Sequence, residues 1–347
     1  MKIALITGIT GQTGSYLTAL LLKKNYIVHG IKRRTSSIHN TKKIEEIINF
    51  NKYYNNKLFL HYGDLTDYNS LENIINKTNP DEIYNLGAQS QVQISFDIPE
   101  YTTQVNAIGV LNLLNIIKNY SKKKIKFYQA STSEMFGNQN IRKLNEKSKM
   151  DPVSPYGISK LYSYYLVKNY RECYNIFASN GILFNHESPL RGENFVTRKI
   201  TQGISNIYYG VDEVLEIGNM NSKRDWGHAK DYAEAIWRIL QYKNPLDLVI
   251  SSNKSFSVRD FIKICFNFLK INIRFVGKGL NEKVIDNKGK IWIKVNKKYF
   301  RKTDINHLLG DSNLAKKLIN WRNRTSFKEL VNEMLKKDLE KTLKKKQ

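Results

Sequence analysis

The stretch Thr7-Gly8-Ile9-Thr10-Gly11-Gln12-Thr13-Gly14 follows a short apolar run, Lys2–Thr7, and precedes a segment that carries Leu17, Leu20 and Leu21 at helical spacing. The run reads as a buried strand and Ser15–Lys24 as an amphipathic helix. Glycines at 8, 11 and 14 carry no Cβ, so the backbone between the two elements can turn tightly and approach a diphosphate. The helix start then offers unpaired N–H groups and a favourable dipole to that anion. A glycine triad alone is a weak signal. Placed between a strand and a helix, it points to a dinucleotide site.

Working outward, the same alternation continues. Tyr26–Ile31, Leu58–Tyr62, Glu82–Leu86 and Lys126–Ala130 read as strands, and Lys42–Asn49, Tyr68–Asn76 and Asn106–Asn119 as helices. Strands alternating with helices of this size predict an α/β fold, a doubly wound parallel sheet of the Rossmann type. Beyond Pro155 the pattern loosens. Helices are expected at Gly157–Tyr170, Thr197–Tyr209, Asp231–Tyr242, Val258–Phe268 and Phe327–Leu343, and strands at Asn180–Phe184, Leu248–Ile250 and Lys290–Val295. The expected organisation is a nucleotide-binding domain over 1–185, returning for about 225–255, and a smaller α/β substrate domain over 186–224 and 256–347.

Composition limits the alternatives. The chain has 347 residues, 41% apolar and 25% charged, which are globular proportions. It has no apolar run long enough for a membrane span and no signal-peptide pattern at its start. The two cysteines, Cys173 and Cys265, form neither a disulfide framework nor a four-cysteine zinc site, so a reducing cytoplasmic compartment and no metal are expected. The net charge of +25 could suggest nucleic acid. The lysines, however, are dispersed along a chain equally rich in Asn, Ile and Tyr, as A/T-rich coding produces. We therefore expect no nucleic-acid partner.

Two further signals concern chemistry. At the end of the second strand a dinucleotide with free ribose hydroxyls usually meets an acidic residue. Here the chain reads Lys32-Arg33-Arg34, and guanidinium groups suit a 2′-phosphate, so NADP is expected over NAD. Tyr156 and Lys160 stand at i and i+4, on one helix face. A phenol is a poor base near neutrality, and a nearby ammonium favours its phenolate, so Tyr156 could take a proton from a sugar hydroxyl. Ala130-Ser131-Thr132-Ser133-Glu134 follows a strand of the same sheet, where ligands of open α/β folds bind. A hydroxyl there can hold the reacting oxygen. Simple hydroxyl oxidation needs no extra carboxylic acid, whereas an elimination does, and Glu134 supplies one. Ser or Thr followed by Glu is also a helix-capping pattern.

These residues together resemble the extended short-chain dehydrogenase/reductases and, within them, the GDP-mannose 4,6-dehydratase family. The resemblance covers nearly the whole chain. Its most specific pieces are Gly8–Leu17, Tyr84–Tyr101, Phe127–Gly137, Ser154–Lys160, Asn180–Pro189 and Arg224–Tyr232. It implies a redox-neutral lyase reaction on GDP-mannose with bound NADP: oxidation at C4, elimination of water across C5–C6, and reduction at C6. By resemblance Tyr156 is the base at the C4 hydroxyl, Thr132 orients that oxygen, Glu134 abstracts the C5 proton and Lys160 holds the nicotinamide ribose. Cofactor contacts carry over to Gly8, Thr10, Gly11, Gln12 and Gly14 in the turn and to Arg33, Arg34, Asp64 and Leu65 on the next strands. They also include Leu86, Gly87, Ala88, Gln89 and Ser90, then Tyr101, His186 and Arg191. Substrate contacts carry over to Ser133, Asn185, Lys199, Arg224 and Arg301. The family forms tetramers partly through a loop that is Thr35–Lys43 here, which implies a homo-oligomer, tetramer or dimer.

The chain departs from the family pattern at Thr13 (usually Asp), Gln91 (often His), Leu190 and Val153 (both usually Arg), and it diverges over 138–152 and 279–295. The divergent loops leave two sibling activities in view: dehydration of a longer GDP-sugar such as GDP-manno-heptose, and epimerisation of a nucleotide sugar. Glu134 disfavours an epimerase that only oxidises and reduces C4.

Overall fold

The computed structural model describes the chain apart from residues 36–39, 121, 140–142, 300–304, 306 and 347, and the side chains of residues 50 and 51. Arg301 and part of the Thr35–Lys43 loop therefore lie outside the described residues. Seven parallel strands form the main sheet, in the order Asp247–Ile250, Ala178–Leu183, Lys126–Thr132, Glu82–Asn85, Ile3–Thr7, Ile27–Lys32 and Leu58–Tyr62. The chain order reverses between Ile3–Thr7 and Glu82–Asn85, which opens a crevice beyond the carboxyl ends of those two strands. The expected doubly wound sheet is present.

Two apolar cores cover its faces. One packs Leu17, Leu21, Val28, Tyr128, Ile236 and Ile239. The other packs Leu5, Leu71, Ile75, Leu113, Leu114 and Val167. Each fully buried Leu, Ile or Val contributes about 2 kcal/mol relative to exposure. Ala315, Ile319 and Trp321 also belong to the first core. The segment around 313–321 thus packs on the main sheet rather than with the rest of 256–347.

A second, four-stranded sheet joins Ile273–Val276, Lys283–Asp286, Ile291–Val295 and Leu215–Ile217. The helices Val196–Tyr208, Val258–Leu269 and Phe327–Lys346 pack around it over Ile200, Ile204, Phe261, Phe266, Leu330 and Met334. A capping box starts the middle helix: Ser257 Oγ accepts from Asp260 N at 3.1 Å and Ser257 N donates back to Asp260 Oδ2 at 2.9 Å. Buried Arg198 and Asp338 pair at 2.6 Å, and Thr201 donates to the same carboxylate at 2.6 Å, which fixes Val196–Tyr208 against the last helix.

One expected helix is shorter than its pattern. Lys42–Asn49 forms only Lys42–Glu45, with a second turn at Phe50–Tyr53. Asn49 Oδ1 accepts from Lys52 N at 3.3 Å, so a side chain competes with the backbone ladder and starts the new turn. Among the described residues no helix is long and apolar enough to cross a membrane, and no cluster of His, Cys, Asp and Glu could hold a metal.

Candidate active site

The glycine turn sits at the crevice. Gly8 has φ +65°, and a Cβ there would stand 2.7 Å from Gly87 N, so the first and fourth strands approach through bare backbone. Gly11 is different: a Cβ would meet only Gly8 O, at 3.2 Å, and otherwise project toward open space. No side chain caps the helix Gln12–Lys23 that begins after it. Its first N–H groups, which no helix can satisfy internally, are thus left for a ligand. A bare Cα facing an uncapped helix start fits a dinucleotide diphosphate.

Side chains fix the loop opposite. Thr7 Oγ1 accepts from Leu86 N at 3.1 Å and Gly87 N at 3.0 Å. Asn106 accepts from Gln89 N at 2.9 Å and donates to Gln89 O at 2.9 Å. Asn106 lies in a one-turn π-helix, Gln104–Ile108, that precedes the helix Gly109–Asn119. The sequence reading starts an ordinary α-helix at this residue, because the extra residue of a π-turn leaves no mark on apolar spacing.

A cavity of about 410 Å³ opens at the carboxyl ends of the strands. Thr132, Ser133 and Glu134 line it from the end of the strand Lys126–Thr132, and Tyr156 and Lys160 from the start of the helix Pro155–Tyr174. Ser154 Oγ accepts from Gly157 N at 3.1 Å and Pro155 takes the first helical position, so this helix starts immediately before Tyr156. The capping pattern at 132–134 is also real: Thr132 Oγ1 accepts from Glu134 N at 3.3 Å. Glu134 also lines the cavity, and its charge acts on Tyr156 there.

Burial acts on both members of the Tyr156–Lys160 pair. Lys160 Nζ donates to Ala130 O at 2.9 Å, and burial lowers its pKa to about 8. Burial pushes the Tyr156 phenol up to about 12, and the Glu134 charge adds to that. A hydrogen bond with Thr132 and the charge of Arg191 pull the other way. The Lys160 ammonium is turned to the strand carbonyl, and Arg191 holds the counteracting charge.

The wall opposite comes from 184–195. Gln12 Nε2 donates to His186 O at 2.7 Å, and Ser188 Oγ donates to Gln12 Oε1 at 2.9 Å. Arg191 lies 3.1 Å from Glu187 Oε2 and stacks 3.5 Å over the Phe195 ring. Asn185 lines the cavity, and its buried Oδ1 has no hydrogen-bond partner, so a ligand donor would satisfy it. Arg224 lines the cavity as well, with Nη1 donating to Lys223 O at 3.0 Å.

Of the residues singled out from sequence, Gly8, Gly11, Gln12, Gly14, Leu86, Ala88, Ser90, Thr132, Ser133, Glu134, Tyr156, Lys160, Asn185, His186, Arg191 and Arg224 line this one cavity. Others flank it. Arg33 donates to Tyr101 Oη at 2.6 Å, and the Arg34 guanidinium lies 5.6 Å over the Tyr62 ring. Asp64 Oδ1 accepts from Thr66 N at 3.0 Å, and Leu65 is buried beside Gly87 and Gly109. Thr10 lies within the turn, and Gly87 and Gln89 form the loop fixed by Thr7 and Asn106. Lys199 Nζ stands 3.2 Å from the centroid of Tyr299, away from the wall. The sequence reading missed Lys43, Val92 and Phe195, all of which line the cavity. Lys43 is one of many lysines, and nothing in its local pattern sets it apart.

With this geometry in place, the comparisons with known proteins are informative. The profile of the family described as GDP-mannose 4,6 dehydratase matches residues 5–334. The GDP-mannose 4,6 dehydratase of Homo sapiens is 50% identical over 344 residues, 98% of this chain and 92% of that protein. That of Drosophila melanogaster is 49% identical over 342 residues, 98% and 86%. That of Vibrio cholerae is 49% identical over 351 residues, 98% and 94%. Among solved structures, RMD from Pseudomonas aeruginosa complexed with NADPH has a TM-score of 0.75 at 19% identity, covering 98% of this chain and all of that one. The dTDP-glucose 4,6-dehydratase of Bacillus anthracis in complex with NAD has a TM-score of 0.77 at 20% identity, covering 97% and 96%. At those identities the two structures speak for the fold. Near 50% identity over almost the full length, with the profile match, the sequence comparisons carry the rest, and the chain belongs to the GDP-mannose 4,6-dehydratase family.

Proposed function

We propose that the protein is an NADP-dependent hydro-lyase that converts GDP-mannose to GDP-4-dehydro-6-deoxymannose and water, a step toward deoxysugars such as fucose or rhamnose. One observation carries the chemistry: Tyr156 and Glu134 open into the same cavity, with Thr132 between them in contact with both. When bound, the nicotinamide supplies a reversible hydride acceptor, loaded from C4 and discharged at C6. Tyr156 takes the C4 hydroxyl proton, and Thr132 holds that oxygen by hydrogen bond. The C4 ketone acidifies the C5 proton. Glu134 removes it and passes a proton to the departing C6 hydroxyl, and the proton taken up by Tyr156 is returned to C5 as C6 is reduced. Lys160 holds the nicotinamide ribose, which replaces part of the solvation its ammonium loses on burial.

Arg33 and Arg34 favour NADP over NAD, since guanidinium groups at the end of the second strand suit a ribose 2′-phosphate and no acidic residue precedes them. His186, Arg191 and the glycine turn hold the dinucleotide, and Asn185, Lys199, Arg224 and Arg301 hold the GDP-sugar. We place the dinucleotide in residues 1–185 with 225–255 and the GDP-sugar in 186–224 with 256–347. We infer a homo-oligomer using the Thr35–Lys43 loop, working in the reducing cytoplasm.

The test is incubation of the purified protein with GDP-mannose and NADP⁺, read by mass. Loss of one water without accumulation of reduced nicotinamide supports the proposal. Unchanged GDP-mannose rejects it, and GDP-manno-heptose is then the next substrate.

A further inference from the structure

Lys43 reaches the cavity wall from the short helix Lys42–Glu45, beside Gln12 and Thr13. Its side chain is half-buried, and among the described residues no acceptor or carboxylate is paired with it. The charges that press on it most are cations, Arg191 and Arg198, and together with burial they hold its pKa below the usual lysine value. The nearby carboxylates are already engaged: Glu187 by Arg191 at 3.1 Å, Asp338 by Arg198 at 2.6 Å and Glu46 by Lys341 at 3.0 Å. Glu193 is exposed.

An ammonium that lines a cavity without a paired carboxylate, and on which the guanidinium charges act more strongly than those of Glu193 and Glu46, gains from an anion in that cavity. The uncapped start of the helix Gln12–Lys23 lines the same cavity. We infer that Lys43 is a diphosphate-binding residue of the dinucleotide site, reaching the phosphates from the short helix that packs against the helix after the glycine turn and sharing them with Arg191. This rests on the dinucleotide reading of the cavity. It adds a specific partition of charge: Arg33 and Arg34 serve the 2′-phosphate, Lys43 and Arg191 the diphosphate, and Arg224 the sugar nucleotide.

The partition is testable by binding alone, on the full-length chain. Nicotinamide fluorescence would follow NADPH and NADH, and calorimetry GDP, for the wild type, Lys43→Gln, Lys43→Met and Lys43→Arg. Both reduced dinucleotides carry the diphosphate and only one carries the 2′-phosphate. Removing the charge should weaken both by the same factor, about tenfold to a hundredfold, as expected for a charge-assisted contact. Affinity for GDP should be unchanged, and Lys43→Arg should stay within about threefold of the wild type. Lys43→Met keeps the aliphatic stem and so separates loss of charge from loss of packing. Equal affinities in all variants would overturn the inference. A loss confined to NADPH would instead make Lys43 a 2′-phosphate contact, and a loss confined to GDP a substrate contact, and either result also overturns it. A wild type that binds neither dinucleotide would remove the dinucleotide reading itself, an outcome distinct from the other three.

Discussion

The Thr13 hydroxyl lies 2.8 Å from Nε2 of His186, while Nδ1 of the same ring lies 3.0 Å from the carbonyl of Phe184. A carbonyl only accepts, so Nδ1 carries the hydrogen and Nε2 accepts from Thr13. Both partners are uncharged, the ring stacks on Tyr232 at 4.8 Å, and its pKa is pushed down to about 4, first by burial and then by the Arg191 and His228 charges. A neutral imidazole therefore ties the glycine turn to the strand Asn185–Glu187 and thereby holds two walls of the cavity together.

This neutrality has a cost at low pH. The folded-state pKa is about 4 against an unfolded value of 6.5, so the unfolded chain binds the extra proton first. Stability from this residue is complete above pH ~6.5 and is lost as pH falls toward ~4, about 2 kcal/mol by pH ~5. Urea midpoints of the wild type and His186→Gln, compared at neutral and mildly acidic pH, check the sign. The variant should lose less stability than the wild type on acidification, and an equal or larger loss contradicts the assignment.

Thr13→Asp should reverse the logic. A carboxylate 3 Å or so from Nε2 favours the imidazolium, by about 1 to 3 pKa units. Ring-proton NMR of His186 should show titration moving up into the mildly acidic range, and the acid sensitivity of the wild type should shrink. An unmoved titration would mean that the ring turns away from residue 13 in solution.

Two glycines of one turn should fail in different ways. Gly8→Ala places a Cβ at positive φ and 2.7 Å from Gly87 N, so the whole crevice must shift. We expect a loss of about 1–3 kcal/mol in the free protein. Gly11→Ala meets only Gly8 O, at 3.2 Å. The free protein should keep its thermal midpoint within a few degrees while dinucleotide affinity falls by at least about tenfold. Thermal scans with and without NADPH read both effects at once. Equal destabilisation by the two changes would contradict the distinction between a fold glycine and a ligand glycine.

The parts of the molecule legible in sequence were those where local pattern and tertiary role coincide. The strand Ile3–Thr7 is an apolar run that becomes a fully covered central strand, and the Tyr156–Lys160 spacing becomes one helix face. The second sheet was largely invisible: Ile273–Val276 alternates with Arg274, Lys283–Asp286 is half polar, and the three-residue edge strand Leu215–Ile217 pairs with Ile291–Val295 far along the chain. Asn106 and Lys43 were missed for another reason. Asn106 acts through its hydrogen bonds to Gln89, and Lys43 lines a cavity built from distant segments, neither of which local spacing encodes. Helical spacing puts Lys160 on the face of Tyr156 but does not say that its ammonium donates to Ala130 O.

The role of Glu134 can be isolated from that of Tyr156. Glu134 lines the cavity, while its backbone N–H is held by Thr132, so Glu134→Gln should leave the turn Ser133–Phe136 in place. The amide cannot accept the C5 proton. Oxidation at C4 does not need that step and should proceed, whereas overall turnover should fall by about a hundredfold or more. The expected signature is near-ultraviolet absorbance of reduced nicotinamide rising to a stable plateau after GDP-mannose is added, with no loss of water by mass. Tyr156→Phe should show no such plateau, since it lacks the base for the first step. If Glu134→Gln released dehydrated product at the wild-type rate, the second proton transfer would have to be reassigned, and the carboxyl group would be left with the helix-start role alone.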